Sequence, residues 1–248
     1  MKIHLMPGLL AAALLTACGG GGQSSPPAAA ATAPVTYNFI APKAGVQLVF
    51  ANTLVDNLNN TLTRTVIENV TAVNPDGSFT SASRDLSNNI STSGGTDQTF
   101  YPTTYNYNSA AQALNWTVTP YSGAAFDCVA TPHAGGAPAF LAFGQTWSFS
   151  FTEICGGSSS VSFNQIGTFV GIESITVPAG TFKAYKIQSL TTLTTPAGTN
   201  ITEAITQWRT AQGTDARNLK LVINYSYSGT APAPGSLVSA TTELQSFQ

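Results

Sequence analysis

Strict alternation of apolar and polar residues is the feature that most narrows what this chain can become. From Leu219 to Ser228 the residues Leu219, Leu221, Ile223, Tyr225 and Tyr227 share one parity, opposed mostly by Lys220, Asn224, Ser226 and Ser228. In 145–152 the residues Trp147, Phe149 and Phe151 oppose Thr146, Ser148, Ser150 and Thr152. A period of two places each set on one face of a half-buried antiparallel strand. Less regular runs predict further strands over 46–55, 62–73, 78–86, 98–108, 113–119, 161–176, 181–194, 201–210 and 237–247. Turn chemistry separates them, at Asn74-Pro75-Asp76-Gly77, Ser93-Gly94-Gly95, Pro178-Ala179-Gly180 and Pro196-Ala197-Gly198. No stretch beyond the first residues shows a capped 3.6-residue period, and 211–218 predicts at most one helical turn. The expected fold class is all-β, an antiparallel sandwich or an open half barrel.

Composition agrees with strands. Charged residues are 8% of the chain, against the usual quarter. Thr, Ser and Asn supply the polar surface, and β-branched Thr favours extended backbone. Aromatic residues make up 10%, more than a disordered chain would carry.

Two passages resemble each other internally. Gly45-Val46-Gln47-Leu48-Val49-Phe50 leads to Pro75-Asp76-Gly77-Ser78-Phe79, and Gly144-Gln145-Thr146-Trp147-Ser148-Phe149 leads to Pro178-Ala179-Gly180-Thr181-Phe182. Proline presets the first turn position and glycine accepts the positive φ after it. One reading is a duplication, with related halves at about 37–120 and 121–248. The other is that antiparallel hairpins simply share turn chemistry.

The N-terminus reads as an address. Lys2 is followed by the apolar run Leu5 to Leu15 and by the small residues Thr16 and Ala17. That run is too short to cross a bilayer core of about 30 Å as a helix and fits a signal peptide over 1–17. Leu15-Thr16-Ala17-Cys18 is similar at every position to the lipobox of bacterial lipoproteins. The resemblance implies cleavage before Cys18, diacylglycerol on its sulfur and an acylated amino group. A thiolate is the nucleophile such a modification requires, and more than one acyl chain anchors stably to a membrane. Gly19 in place of Asp resembles outer-membrane cargo in the enteric-type sorting rule, so the expected location is the outer membrane. Residues 18–36, rich in Gly, Ser, Pro and Ala and free of charge, form a tether. A flexible coil of that length reaches on the order of 25 Å. Residues 37–248 then form the β domain.

The hairpin over Ile175-Thr176-Val177-Pro178-Ala179-Gly180-Thr181-Phe182-Lys183-Ala184-Tyr185-Lys186-Ile187 resembles one found in poorly characterised bacterial envelope lipoproteins. That resemblance covers about 144–210 and implies a curved antiparallel sheet or open barrel, with no catalytic residue attached.

Chemistry is sparse. With Cys18 given to lipid, Cys128 and Cys155 remain in an oxidising compartment, where a disulfide is the default and two buried thiols the alternative. His133 is the one histidine left after cleavage, in a Pro-His-Ala-Gly-Gly loop where exposure is the expectation and a general base the alternative. One histidine and paired cysteines leave no metal site, and no cofactor fingerprint occurs. Serine-hydrolase signatures are absent. The carboxylates Asp56, Glu68, Asp85, Asp97, Asp127, Glu153, Glu173, Glu203, Asp215 and Glu243 are scattered, and nothing selects a glycosidase pair among them. Asp56-Asn57-Leu58-Asn59-Asn60 lacks the glycine and terminal glutamate of a calcium loop and predicts a polar turn. Eight basic residues face eleven acidic ones after cleavage, a formal −3 with no basic patch, which argues against nucleic acid.

Tyr101, Tyr105 and Tyr107 share parity and are the candidate ligand-facing aromatics, although such rows are more often core. The expected role is therefore non-enzymatic, binding or structural, at a membrane reached through Cys18. Within binding, the alternatives are a carrier for a lipid or other hydrophobic ligand and a surface module for polysaccharide. The sequence carries no signal for oligomeric state.

Overall fold

The computed structural model describes the chain except residues 1–35, 40–41, 87–91, 94–95, 98–99, 136, 139, 158, 196–197 and 212–216. Cys18 and most of the expected helical turn lie outside the described residues. The described strands are β1 (Thr36–Asn38), β2 (Gln47–Asp56), β3 (Thr61–Val73), β4 (Phe79–Asp85), β5 (Thr92–Ser93), β6 (Thr96–Asp97), β7 (Thr103–Tyr107) and β8 (Ala113–Val118). They continue with β9 (Phe126–Ala134), β10 (Phe140–Ala142), β11 (Thr146–Cys155), β12 (Ser159–Val177), β13 (Gly180–Thr194), β14 (Thr199–Thr210), β15 (Asn218–Gly229) and β16 (Leu237–Phe247).

Twelve of these close into one antiparallel barrel in the order β11-β12-β13-β14-β15-β16-β2-β3-β4-β7-β8-β9. The all-β class is as expected, but the sheet is closed, neither a sandwich nor an open half barrel. Two seams make the difference. Chain end meets chain start where Leu244 pairs with Phe50 and Ala240 with Leu54. The other seam is β9, which pairs with β8 and with β11, where Cys155 faces Cys128. No alternation announces β9, because its inward residues Cys128 and Ala130 are small and Pro132 interrupts the run.

The barrel is mostly apolar inside, with charged side chains set among the apolar ones, and mostly polar outside. Phe151, Phe163, Trp116, Leu193 and Ile201 pack together within it, and Leu48, Phe50, Leu219 and Leu244 form a second cluster. Outward positions on β11, β12 and β14 carry Ser148, Ser150, Ser162, Asn164 and Thr202. A lipid-embedded barrel has an apolar outer band; here the hydroxyl- and amide-rich face also carries exposed Val129, Ile154 and Ile166.

The β1–β10 ribbon packs against one end. The Tyr37 ring, 1% exposed, lies 5.0 Å from Tyr185 and 6.2 Å from Phe169, and its hydroxyl accepts from Arg209 Nη1 at 2.9 Å. At the same end the Val177–Gly180 turn reaches β16, where Ala179 N–H donates to Leu244 O at 3.1 Å.

Six barrel strands precede β10 and six follow it, and both sets begin alike. Gly45 (φ 84°) and Gly144 (φ 75°) take the left-handed conformation that glycine allows. Gly45 N–H donates to Val70 O and Val70 N–H to Val46 O; Gly144 N–H donates to Phe169 O and Phe169 N–H to Gln145 O. Each carbonyl-bearing strand then slips register, between Val70 and Ala72 and between Phe169 and Gly171.

Candidate ligand-binding site

Alternation puts every second residue of β3 inside the barrel: Leu62, Arg64, Val66, Glu68 and Val70. Two of those five are charged. Glu68 faces a cavity of about 200 Å3 lined by Phe50, Asn52, Val66, Ser83, Phe100, Tyr105, Tyr107, Asn218, Lys220, Leu221 and Thr242. Burial raises the Glu68 carboxyl above its ordinary pKa, while the Ser81 hydroxyl and the Arg209 charge pull it back.

The polar wall of the cavity is tied together. Arg64 Nε donates to Asn52 Oδ1 at 2.9 Å, and Asn52 Nδ2 donates to Thr242 Oγ1 at 2.8 Å. Gln207 Nε2 and Arg209 Nε both donate to Asn218 Oδ1, at 2.7 and 3.0 Å. The Arg64 guanidinium lies 4.9 Å over the Phe100 ring, a cation–π arrangement. Burial lowers its pKa, and the charge of Asp85 opposes that shift. A wall held this way is preorganised, which limits the ordering cost of binding.

Tyr105 and Tyr107 both line this cavity, with ring centroids 5.8 Å apart, and Phe79 stacks on Tyr107 at 4.7 Å. Burial pushes both phenols up, as does the Glu68 charge, so they remain neutral donors. Tyr101 is not brought to the wall; it packs against Tyr121 at 5.8 Å.

Three further carboxyls lie inside, one of them Asp85 at the inward end of β4. Glu203 is fully buried between Thr191 and Tyr225 on its neighbouring strands, and neither of its oxygens has a hydrogen-bond partner among the described residues. Burial raises its pKa well above the ordinary value. Glu153 sits on β11, where burial raises its carboxyl to about 7. Glu68, Glu153 and Glu203 share one sequence signal, a charge at the apolar parity of a strand, and this was the signal that would have selected them.

Cys128 and Cys155 form the disulfide, so the cluster of Cys128, Cys155 and Glu153 has its sulfurs bonded to each other. His133 lies in strand β9 and not in an exposed loop: its ring packs 4.8 Å from Phe149 and burial lowers its pKa. The Asp56–Asn60 segment is the expected polar turn, with Asp56 Oδ1 accepting from the Leu58 and Asn60 N–H groups at 2.8 and 2.9 Å. On the outer face, Ser160, Ser162, Asn164, Thr192, Thr194, Asn200 and Thr202 line a groove of about 620 Å3. Its lining holds no aromatic ring on which a sugar could stack.

The sequence matches no protein-family model and no curated protein. Two solved structures are similar to the chain. One, from Bacteroides fragilis, is described as an exported protein with a YmcC-like fold; it is 11% identical, with 86% of this chain and 99% of that one covered and a TM-score of 0.48. The second, from Parabacteroides distasonis, is described as a lipoprotein; it is 12% identical over the same shares, with a TM-score of 0.44. Likeness at this level assigns no function.

Proposed function

We propose that the chain is a lipid-anchored envelope protein, held at the outer membrane through Cys18, whose barrel binds a small molecule and performs no covalent chemistry. The observation that carries the binding role is Glu68, a half-buried residue whose carboxyl, raised by desolvation, faces a cavity walled by aromatic, apolar, amide and hydroxyl groups with Lys220 beside them. Such a constellation orients a guest through a few polar contacts while the apolar wall supplies contact area. Glu68 accepts from a hydrogen-bond donor or ammonium on the guest, and Tyr105 and Tyr107 offer donors of their own. About 200 Å3 is below the usual few hundred Å3 of a ligand pocket, so the guest is small and an acyl chain is not favoured. The mostly polar outer face suits a barrel held in water, with the tether as its link to the membrane.

The two six-strand sets support this reading, and we take them as related halves. Aligning Gly45 with Gly144 places Glu68 opposite Gly167. There the Trp147 ring fills the space, because a Cβ on Gly167 would fall 2.1 Å from Trp147 Cζ2. One half closes the position with its own side chain, and the other presents a carboxyl to a cavity.

The test is calorimetric titration of the purified chain with short primary alkylammonium ions and the matching neutral amides. Saturable binding that Glu68→Gln abolishes supports the site; no binding by either series, or equal binding by the variant, refutes it. Growth with labelled palmitate tests the anchor, which requires label that Cys18→Ala removes.

A further inference from the structure

We infer that Phe140, Phe143 and Ile172 form a membrane-docking patch at the root of the tether, so that the barrel rests on the bilayer by one end. The inference rests on the lipid anchor at Cys18 proposed above. Leu141 is fully buried, and the alternation of β10 therefore turns Phe140 outward, where it is 60% exposed. Phe143, in the turn that follows, is 63% exposed. Gly171 provides its seat: a Cβ there would fall 3.1 Å from Phe143 Cε2. Ile172, next along β12, is itself 44% exposed.

The place of this patch names its occupant. β1 is the first described segment after the tether, and Thr36 pairs with Ala142 while Asn38 pairs with Phe140. The chain thus leaves for Cys18 from between the two phenylalanines. Eighteen tether residues reach on the order of 25 Å, so the lipid that holds Cys18 is the surface this end meets at high effective concentration. Exposed Lys43 and Lys183 lie at the same end and suit anionic headgroups; the acidic residues there are Asp76, in the β3–β4 turn, and Glu173, next to Ile172 and ion-paired with Lys186. Aromatic side chains at such a contact settle about 5–10 Å into the headgroup and acyl boundary.

The experiment is fluorescence quenching in vesicles of phosphatidylethanolamine and phosphatidylglycerol brominated high on the acyl chain, carrying the full lipidated protein. Phe143→Trp is compared with Leu58→Trp, a residue 51% exposed at the opposite end of the barrel, after subtraction of the native tryptophans. Quenching of the Phe143→Trp signal should exceed the control by about twofold or more, as shallow burial requires. Equal quenching in a palmitate-labelled chain overturns the docking and leaves the anchor standing. Equal quenching with a crosslinked dimer assigns the patch to a second copy and overturns it equally. A chain that takes no palmitate overturns the anchor beneath it, a failure read from the label and not from the fluorescence.

Discussion

Glu153→Gln should remove a pH dependence of stability opposite in sign to that of a salt-bridged or hydrogen-bonded carboxylate. The carboxyl is 8% exposed on β11, between Ala130 and Val161 on the flanking strands, and burial raises it from 4.5 to about 7. A pKa unit corresponds to about 1.4 kcal/mol, so the shift is worth about 3 kcal/mol. The folded state binds this proton more tightly than the unfolded chain. Stability from this group is therefore complete below pH 4.5, falls as pH rises, and has gone once pH passes about 7. Glutamine keeps the shape and stays neutral, so the variant should match wild type near pH 4.5 and exceed it by about 3 kcal/mol near pH 8. Urea unfolding across that range gives both curves. Glu68 and Glu203 slope the same way, but they are present in both proteins and cancel in the difference. Parallel curves for wild type and variant would refute a raised carboxyl at this position.

Two further perturbations follow from the barrel seams and its interior. Replacing Cys128 and Cys155 by Ser opens a bridge spanning 27 positions, which should cost about 3.5 kcal/mol on the chain-entropy model; guanidinium unfolding measures it, and an unchanged midpoint would count against the bridge. Gly167→Ala should destabilise by about 1–3 kcal/mol through overpacking, since the new methyl meets the Trp147 ring. Thermal melts of Gly167→Ala in the wild-type and Trp147→Ala backgrounds form a cycle in which the cost should vanish once the ring is gone.

How much of this could be read beforehand depended on side-chain size. β15 and β11 were legible because bulky residues mark each inward position, as Leu219, Ile223 and Tyr225 do, and the ends of β16 at 237–247 agree with the structure. The Pro-Ala-Gly turn at 178–180 was legible because turn chemistry is local. Closure was not, because it depends on pairing between the ends of the chain and on β9, whose inward faces are Cys128 and Ala130. The same gap hid His133, which looks like loop when Pro132 and Gly135 flank it. At the site, parity correctly put Tyr105 and Tyr107 on one face, yet which face lines a cavity depends on strands remote in sequence. Glu68 was visible only as one carboxylate among many, until register put it on the apolar side of β3.

The placement of charge gives the strongest reason to look for function inside. A chain with 8% charged residues sets Arg64, Glu68, Asp85, Glu153, Glu203 and Arg209 at inward register positions. Replacing buried ionic groups by packed apolar ones is often neutral or stabilising, so stability alone does not account for them. Two groups are electrostatically matched, Arg64 with Asp85 and Glu68 with Arg209, and both matched groups border the cavity region. Glu153 and Glu203 are raised by desolvation alone. An interior of the first kind is a held, charged surface, and of the second kind a store of protons in an apolar wall. The outer face, by contrast, is mostly hydroxyls and amides, with exposed apolar residues such as Val129, Ile154 and Ile166 among them. Ordinary barrel folding asks only for the apolar rows. Under the proposed binding role the charged rows would meet a polar guest, and Glu68, the one of them that lines the cavity, is where that contact would be made.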